Sequence, residues 1–305
     1  MTTLRSLAIG DCDHYVSPYL IGVREAMARL GHEHREVSIR QPVQVLARAV
    51  DESRPNILWT HMLLWAPQPG SPPVDRLVNL MERAARGGAR VIVHDGDYKD
   101  RCRHPHSLNS WCALALVNHA FDRSPWCVPT LRWPYFAQVQ DEIAQPDPAW
   151  ACDLFFAGQL GKGPVYAERT RFLNAISKTS GQLRMPTERD GNTLAITPAI
   201  AASADAILGF GRPGVRGWVD TRVFQYPGAG GILIHDDVAG YLEPWVHYVP
   251  YQSGDAASVV DALARLRSLQ EPERRALRER AFAYVQEKHN SVARVRQVLA
   301  AVGLA

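Results

Sequence analysis

The chain has 305 residues, enough for two domains of ordinary size, each with its own core. A hydrophobic content of 46% and a charged content of 21% exclude a disordered or fibrous chain. The net charge of +3 excludes the strongly basic balance of a nucleic-acid-binding domain but accommodates a phosphate-bearing ligand. In chain order, Leu4 to Ile9 is the first expected strand and ends in a polar loop from Gly10 to Ser17. Pro18 opens a helix with Leu20, Val23, Met27 and Leu30 at helical spacing, closed by Gly31. A second helix follows Pro42, and Asn56 to His61 is the next strand. Val74 to Arg86 is helical, stopped by Gly87-Gly88, and Arg90 to His94 is a strand.

Between Ala137 and Trp150 the chain turns polar, with Gln145-Pro146-Asp147-Pro148 marking a linker. Beyond it Asp153 to Ala157 restarts the alternation and opens a loop, Gly158-Gln159-Leu160-Gly161-Lys162-Gly163. A helix from Val165 to Ser177 follows, then strands at Ala206 to Leu208, Ile232 to His235 and His247 to Val249. From Asp255, an expected helix cap, the chain is almost wholly helical. Strands alternating with helices predict an α/β protein with parallel sheets, divided into residues 1–145 and 146–288, with a closing helical segment at 289–305. Ligands of such sheets bind beyond the carboxyl ends of strands, where every polar loop named here lies.

The cysteines, Cys12, Cys102, Cys112, Cys127 and Cys152, are scattered and form no CxxC pair, as expected for reduced thiols in the cytoplasm. No apolar leader follows Met1 and no apolar run reaches the length of a bilayer span, so a cytoplasmic protein is expected.

Three basic features of the second half suit an anion. The Gly158 loop sits between a strand and a helix, with Lys162 adding charge, and Arg169 lies on that helix. The third is Arg212-Pro213-Gly214-Val215-Arg216-Gly217 together with Arg222, leading into the turn that holds Gly228 and Gly230. In the first half, Gly10-Asp11-Cys12-Asp13-His14-Tyr15 follows the first strand, and Asp13 or His14 is placed to act as a general base. His61 and Trp65 stand at the next strand end, suited to stacking on a sugar or base. His94, Asp95 and Asp97 follow at the third. Asp95-Gly96-Asp97 and Asp11-Cys12-Asp13 are Asp-x-Asp tripeptides. That tripeptide arises by chance at about this aspartate content, and Cys102, His104 and His106 lack zinc spacing, so no metal is assigned.

The segment Arg222-Val223-Phe224-Gln225, followed by small residues, Gly230-Gly231 and the strand into His235-Asp236-Asp237, resembles the donor-binding signature of GT-B glycosyltransferases, in particular the CgeB-like spore-coat family. Arg222 and Phe224 match that pattern, while Gln225 stands where the family has Glu. The resemblance implies two Rossmann-like domains facing a central cleft, with an amino-terminal acceptor domain and a carboxyl-terminal donor domain. The closing helix would by analogy cross back to the amino-terminal domain. It also implies a metal-independent transfer from a nucleotide-sugar co-substrate such as a UDP-sugar, with no further cofactor. Gly158, Lys162, Arg169, Arg212, Arg216, Arg222, Gly228 and Gly230 would serve the diphosphate, and Gln225 the ribose. His61, Trp65, His94, Asp95 and Asp97 would line the acceptor side. The acceptor stays open, a nucleic acid included, although the net charge gives that option no support. Two alternatives remain: a non-catalytic two-lobed binding protein, and a metal-dependent enzyme centred on His94 to Asp97.

Overall fold

The protein was analysed as a computed structural model, which describes residues 2–10, 18–61, 72–95, 111–117, 128–133, 135–158, 164–180, 183–185, 193–211, 219–238 and 240–305. The chain divides into two compact units, one formed by Met1–Tyr135 with Ser291–Ala305, the other by Phe136–Asn290.

The first unit is built on a six-stranded parallel sheet. Its strands are β1 (Arg5–Gly10), β2 (Glu33–Ser38), β3 (Ile57–His61), β4 (Arg90–Asp95), β5 (Cys112–Val117) and β6 (Thr130–Arg132), in the order β2-β1-β3-β4-β5-β6. The connecting helices are α1 (Pro18–Arg29), α2 (Val43–Ser53) and α3 (Val74–Arg86). Side chains alternate across a strand, so each strand feeds two cores. Leu7, Leu58, Val91 and Val93 pack with Leu46 and Val50 of α2 and with Leu77 and Met81 of α3. On the other face Trp59 and His94 meet Tyr19 of α1 and Trp133, in a buried aromatic group.

The helix Ser291–Ala301 closes that second core. It packs on α1 and buries Val295, Val298 and Leu299. Its first residue, Ser291, hydrogen-bonds Glu25 at 2.8 Å. Trp133 Nε1 donates to the Arg294 carbonyl at 3.0 Å, giving the buried indole N–H its partner.

The second unit carries a five-stranded parallel sheet. Its strands are β7 (Cys152–Phe155), β8 (Leu183–Arg184), β9 (Ala204–Leu208), β10 (Leu233–His235) and β11 (Val249–Pro250), in the order β11-β10-β9-β7-β8. Its helices are α4 (Pro164–Ser180), α5 (Thr193–Ser203), the single turn α6 (Arg222–Gln225), α7 (Ala256–Ser268) and α8 (Glu271–Lys288). Leu154, Ala206, Leu208 and Ile234 pack against Leu173 and Ile176 of α4 and Val259, Leu263 and Leu266 of α7. Phe155 and Ile207 pack on the opposite face with Ile200 and Ala201 of α5. Asp255 caps α7, its Oδ1 accepting the Ala257 N–H at 2.9 Å.

The unit boundary at Tyr135/Phe136 falls ahead of the polar Gln145-Pro146 stretch. Backbone pairing moves it there. Ala137 bridges to Asn290, the Gln140 N–H donates to Gln286 Oε1 at 3.2 Å, and Gln286 Nε2 donates to the Gln138 carbonyl at 2.9 Å. These bonds tie the start of the polar stretch to the end of α8.

Candidate functional site

Three strands of the second unit end in residues that converge. After β7 comes Phe156-Ala157-Gly158, after β9 comes Gly209-Phe210-Gly211, and after β10 comes Asp236. Carboxyl strand ends are where an open α/β sheet binds its ligand. Arg222, at the start of α6, reaches into this group. Its Nη1 donates to the Ala157 carbonyl at 2.5 Å, and its Nε donates to Asp220 Oδ2 at 2.8 Å. Nη2 pairs with the same carboxylate oxygen, and the Arg222 backbone N–H donates to Asp220 Oδ1 at 2.8 Å. Among the described residues, these bonds occupy three of the five guanidinium N–H donors. The group is thus fixed in place while donors remain for an anion.

Asp220 is buried, which by itself would raise its carboxyl pKa. The Arg222 charge, then the field of His235 and the hydrogen bonds from Arg222, outweigh burial and hold it below the ordinary carboxylate range. Gly158 has to be glycine for the same reason. A Cβ there would lie 2.6 Å from Arg222 Nη1 and 2.5 Å from Phe156 Cζ. The space above that backbone belongs to the guanidinium and the ring. Arg169 of α4 lies with its Cζ 5.2 Å from the Phe210 ring centroid, and Arg222 Cζ lies 5.7 Å from the same centroid. Two of the expected phosphate-binding arginines therefore share one aromatic ring.

Asp236 fastens the rim of the group. Its Oδ1 accepts N–H groups of Gly211 and Asp237, each at 2.9 Å, and its Oδ2 accepts the Ser253 hydroxyl at 2.9 Å. His235 Nδ1 stands 3.0 Å from Oδ1. Burial pushes this carboxyl up, but the contacts from His235, Gly211 and Ser253 bring it down to about 2. A carboxyl whose folded pKa is depressed stabilises the fold above its unfolded pKa and loses that contribution as pH falls through the folded value. Replacing Asp236 with Asn should therefore lower unfolding free energy by on the order of 2 kcal/mol above pH ~5. The deficit relative to wild type should shrink between pH ~4 and ~2. Denaturant titrations across that range measure it, and a pH-independent deficit would contradict the assignment.

The described structure redistributes several sequence expectations. Gly228 and Gly230 sit in a closely packed turn. A Cβ on Gly228 would lie 2.9 Å from Val285 Cγ1 of α8, and one on Gly230 would lie 2.5 Å from Ile143. The Gly230 N–H already donates to the Pro227 carbonyl at 3.0 Å. These glycines allow close packing, and Gly230 also adopts a φ of 86°. Gln225 is half-buried and lines a small pocket with Gln138, Gln140 and Thr197. His94 is a core residue instead of an acceptor-side one, fully buried with its ring stacked on Tyr19 at 4.5 Å. The backbones of His61 and Asp95 end β3 and β4, with His61 in register with His94. Asp13, His14, Trp65, Asp97, Lys162, Arg212 and Arg216, and the side chains of His61 and Asp95, lie outside the described residues. Among the described residues, no group of three or more His, Cys, Asp or Glu side chains is arranged to hold a metal ion. Among the same residues, no helix is long and apolar enough to cross a membrane.

Sequence reasoning missed Asp220, Phe156 and Phe210. The available signals were an Asp two residues before the arginine and a Phe close before a Gly at two strand ends.

Comparison with known proteins bears on the same unit. Residues 193–300 match the model of the glycosyl transferase-like family, a span that includes β9, Arg222 and Asp236. Among curated proteins, none matches the sequence. Solved structures with a similar fold include an alpha-glucosyltransferase in complex with UDP and DNA, at 10% identity and a TM-score of 0.70, covering 99% of this chain and 100% of that one. The T4 phage BGT in complex with UDP-glucose aligns at 11% identity and a TM-score of 0.58, over 97% of this chain and 99% of that one. A UDP-forming trehalose-phosphate synthase from Burkholderia xenovorans aligns at 12% identity and a TM-score of 0.56, over 99% of both chains. At such identities the likenesses show the fold, which is GT-B, with a Rossmann-like arrangement in each unit. The chain thus carries a glycosyl transferase-like domain over residues 193–300, which includes the arginine-bearing strand ends of its second unit, within a GT-B fold.

Proposed function

We propose that the protein transfers a sugar from a UDP-sugar to an acceptor hydroxyl or amine, that it does so without a divalent metal, and that it is a CgeB-like enzyme of the cytoplasm. The observation that carries the proposal is the pair of guanidiniums, Arg169 and Arg222, set against Phe210, with Arg222 beside Gly158. Cleavage of a sugar–diphosphate bond builds negative charge on the departing nucleotide. Cations fixed in advance, in a site partly shielded from water, stabilise that charge without reorganising. Arg222 is held by Asp220 and Ala157, and the amino end of α4 follows directly on the Gly158 loop. The unpaired N–H groups of a helix amino end add to the favourable field for phosphate.

UDP as the nucleotide is supported by similar folds whose structures contain UDP or UDP-glucose. In this proposal Lys162, Arg212 and Arg216 add charge around the diphosphate, and Asp13 or His14 accepts the acceptor's proton. Gln225 serves the ribose. A Gln offers one acceptor oxygen where the resembling family's Glu offers two, so the ribose is expected to be held less firmly.

A thermal-shift titration with UDP and UDP-sugars, with and without a chelator, tests the proposal. UDP at a hundred times its dissociation constant should add about 2.7 kcal/mol of stability, unaffected by chelation. Release of UDP from at least one UDP-sugar should follow when acceptor extracts are added. A melting point that no nucleotide moves would sink the donor-site assignment. Binding that vanishes on chelation would sink the metal-independent one, and binding without turnover would favour a non-catalytic binding protein.

A further inference from the structure

Phe210 is half-buried, and its surroundings fix it more tightly than packing alone requires. Its two neighbours in the chain are pinned. The Gly209 N–H donates to the Ile234 carbonyl at 2.9 Å, and the Gly209 carbonyl accepts the Tyr251 hydroxyl at 3.2 Å. On the other side the Gly211 N–H donates to Asp236 Oδ1 at 2.9 Å. The ring itself lies nearly parallel to Phe156, with centroids 5.1 Å apart at 8°, and Phe172 meets it edge-on at 5.7 Å. Against this ring lie Arg169 and Arg222, on different elements of the unit, while Arg222 also sits 5.1 Å from the Phe156 centroid.

Two guanidiniums set against one ring repel each other before any anion arrives. Solvent would ordinarily separate them, because neither is bound covalently to the other's element. An aromatic face carries the negative part of a quadrupole and attracts cations at this range. The stacked pair of rings therefore supplies an uncharged surface against which both cations lie, beside the Asp220 carboxylate that pairs with Arg222.

We infer that Phe210, backed by Phe156, is a positioning residue that brings Arg169 and Arg222 together for the two phosphates of the donor. The inference rests on the donor-site proposal above. It goes further in assigning to an apolar side chain the task of spacing the cations. Phe210 touches no reacting atom and acts only through the arginines.

The test compares UDP with uridine, which shares the base and ribose but lacks the phosphates, by calorimetric titration of the full chain. Phe210→Leu keeps an apolar side chain and removes the π-face. It should weaken UDP about tenfold, the loss of roughly one good cation–π contact, and leave uridine affinity unchanged. Phe210→Tyr, which keeps the face, should restore UDP binding. Should Phe210→Leu fail to fold, Phe156→Leu is read in the same way. Equal binding of UDP by Phe210→Leu and wild type would overturn the inference alone. So would a parallel loss of UDP and uridine, because that is what a packing defect gives. Wild type that binds no UDP would overturn the donor-site proposal and this inference with it.

Discussion

Replacing Arg222 with Ala is expected to destabilise the second unit by about 3–5 kcal/mol and to abolish nucleoside diphosphate binding. The stability loss does not come mainly from contacts made by the arginine. Asp220 is buried, and Arg222 is the main charge holding its carboxylate ionised. Removing the guanidinium leaves an uncompensated buried charge, which is far costlier than losing a buried ion pair whole. A double replacement, Arg222→Met with Asp220→Asn, removes both charges and should recover most of the stability while still failing to bind. Urea unfolding and UDP titration of the single and double variants separate the two effects. A double variant that regained UDP binding would remove Arg222 from the donor site. The single variant alone cannot decide the matter, because a chain that is partly unfolded also binds nothing.

Deleting Ser291–Ala305 should unfold the first unit, although the deletion lies in the last residues of the sequence. Val295, Val298, Leu299 and Val302 are buried there. At roughly 1.5–3 kcal/mol for each fully buried side chain, their loss is comparable to the whole stability of a typical domain. The Trp133 indole would lose its acceptor, the Arg294 carbonyl, and Glu25 its Ser291 partner. Hydrogen exchange read by mass spectrometry should show α1 and β1 unprotected, with β7 and β9 still protected. Retained protection of α1 would show that the last helix is dispensable. Adding a peptide of residues 291–305 in trans should restore protection in a concentration-dependent way.

Particular elements explain what was legible in the sequence and what was not. The central strands β1, β3, β4 and β7 are short apolar runs bounded by polar loops, so their pattern announced them. β2 did not, because Glu33-His34-Arg35-Glu36-Val37-Ser38 has one strongly apolar residue. It becomes a strand by pairing along the whole of β1 at the sheet edge, where its alternate residues stay exposed. The two-residue strand β8 exists only through its partner, β11 falls at the end of the strand expected over His247 to Val249, and α5 was obscured by Pro198 within it. In the candidate site, the position of Arg222 was legible from its motif and the Gly158 loop from its place after a strand. The role of the Gly228 turn was not, since sequence cannot tell a glycine needed for a ligand from one needed for a neighbouring helix. That Arg169 and Arg222 both lie against Phe210 could not be read from the sequence. The rings that gather them were hidden because an apolar residue at a strand end looks like core.

The chain leaves its first unit at Phe136 and returns to it at Ser291. On the ribosome this inverts the order of completion. The second unit is one continuous stretch and has all its residues before the first unit has its last helix. Until then α1 and Trp133 wait with an apolar face uncovered, through synthesis of 155 intervening residues, Phe136–Asn290. At about 5–20 residues per second that wait lasts on the order of 10–30 seconds, long enough for a chaperone to bind the open face. The amino-terminal unit, although made first, is the one that finishes last.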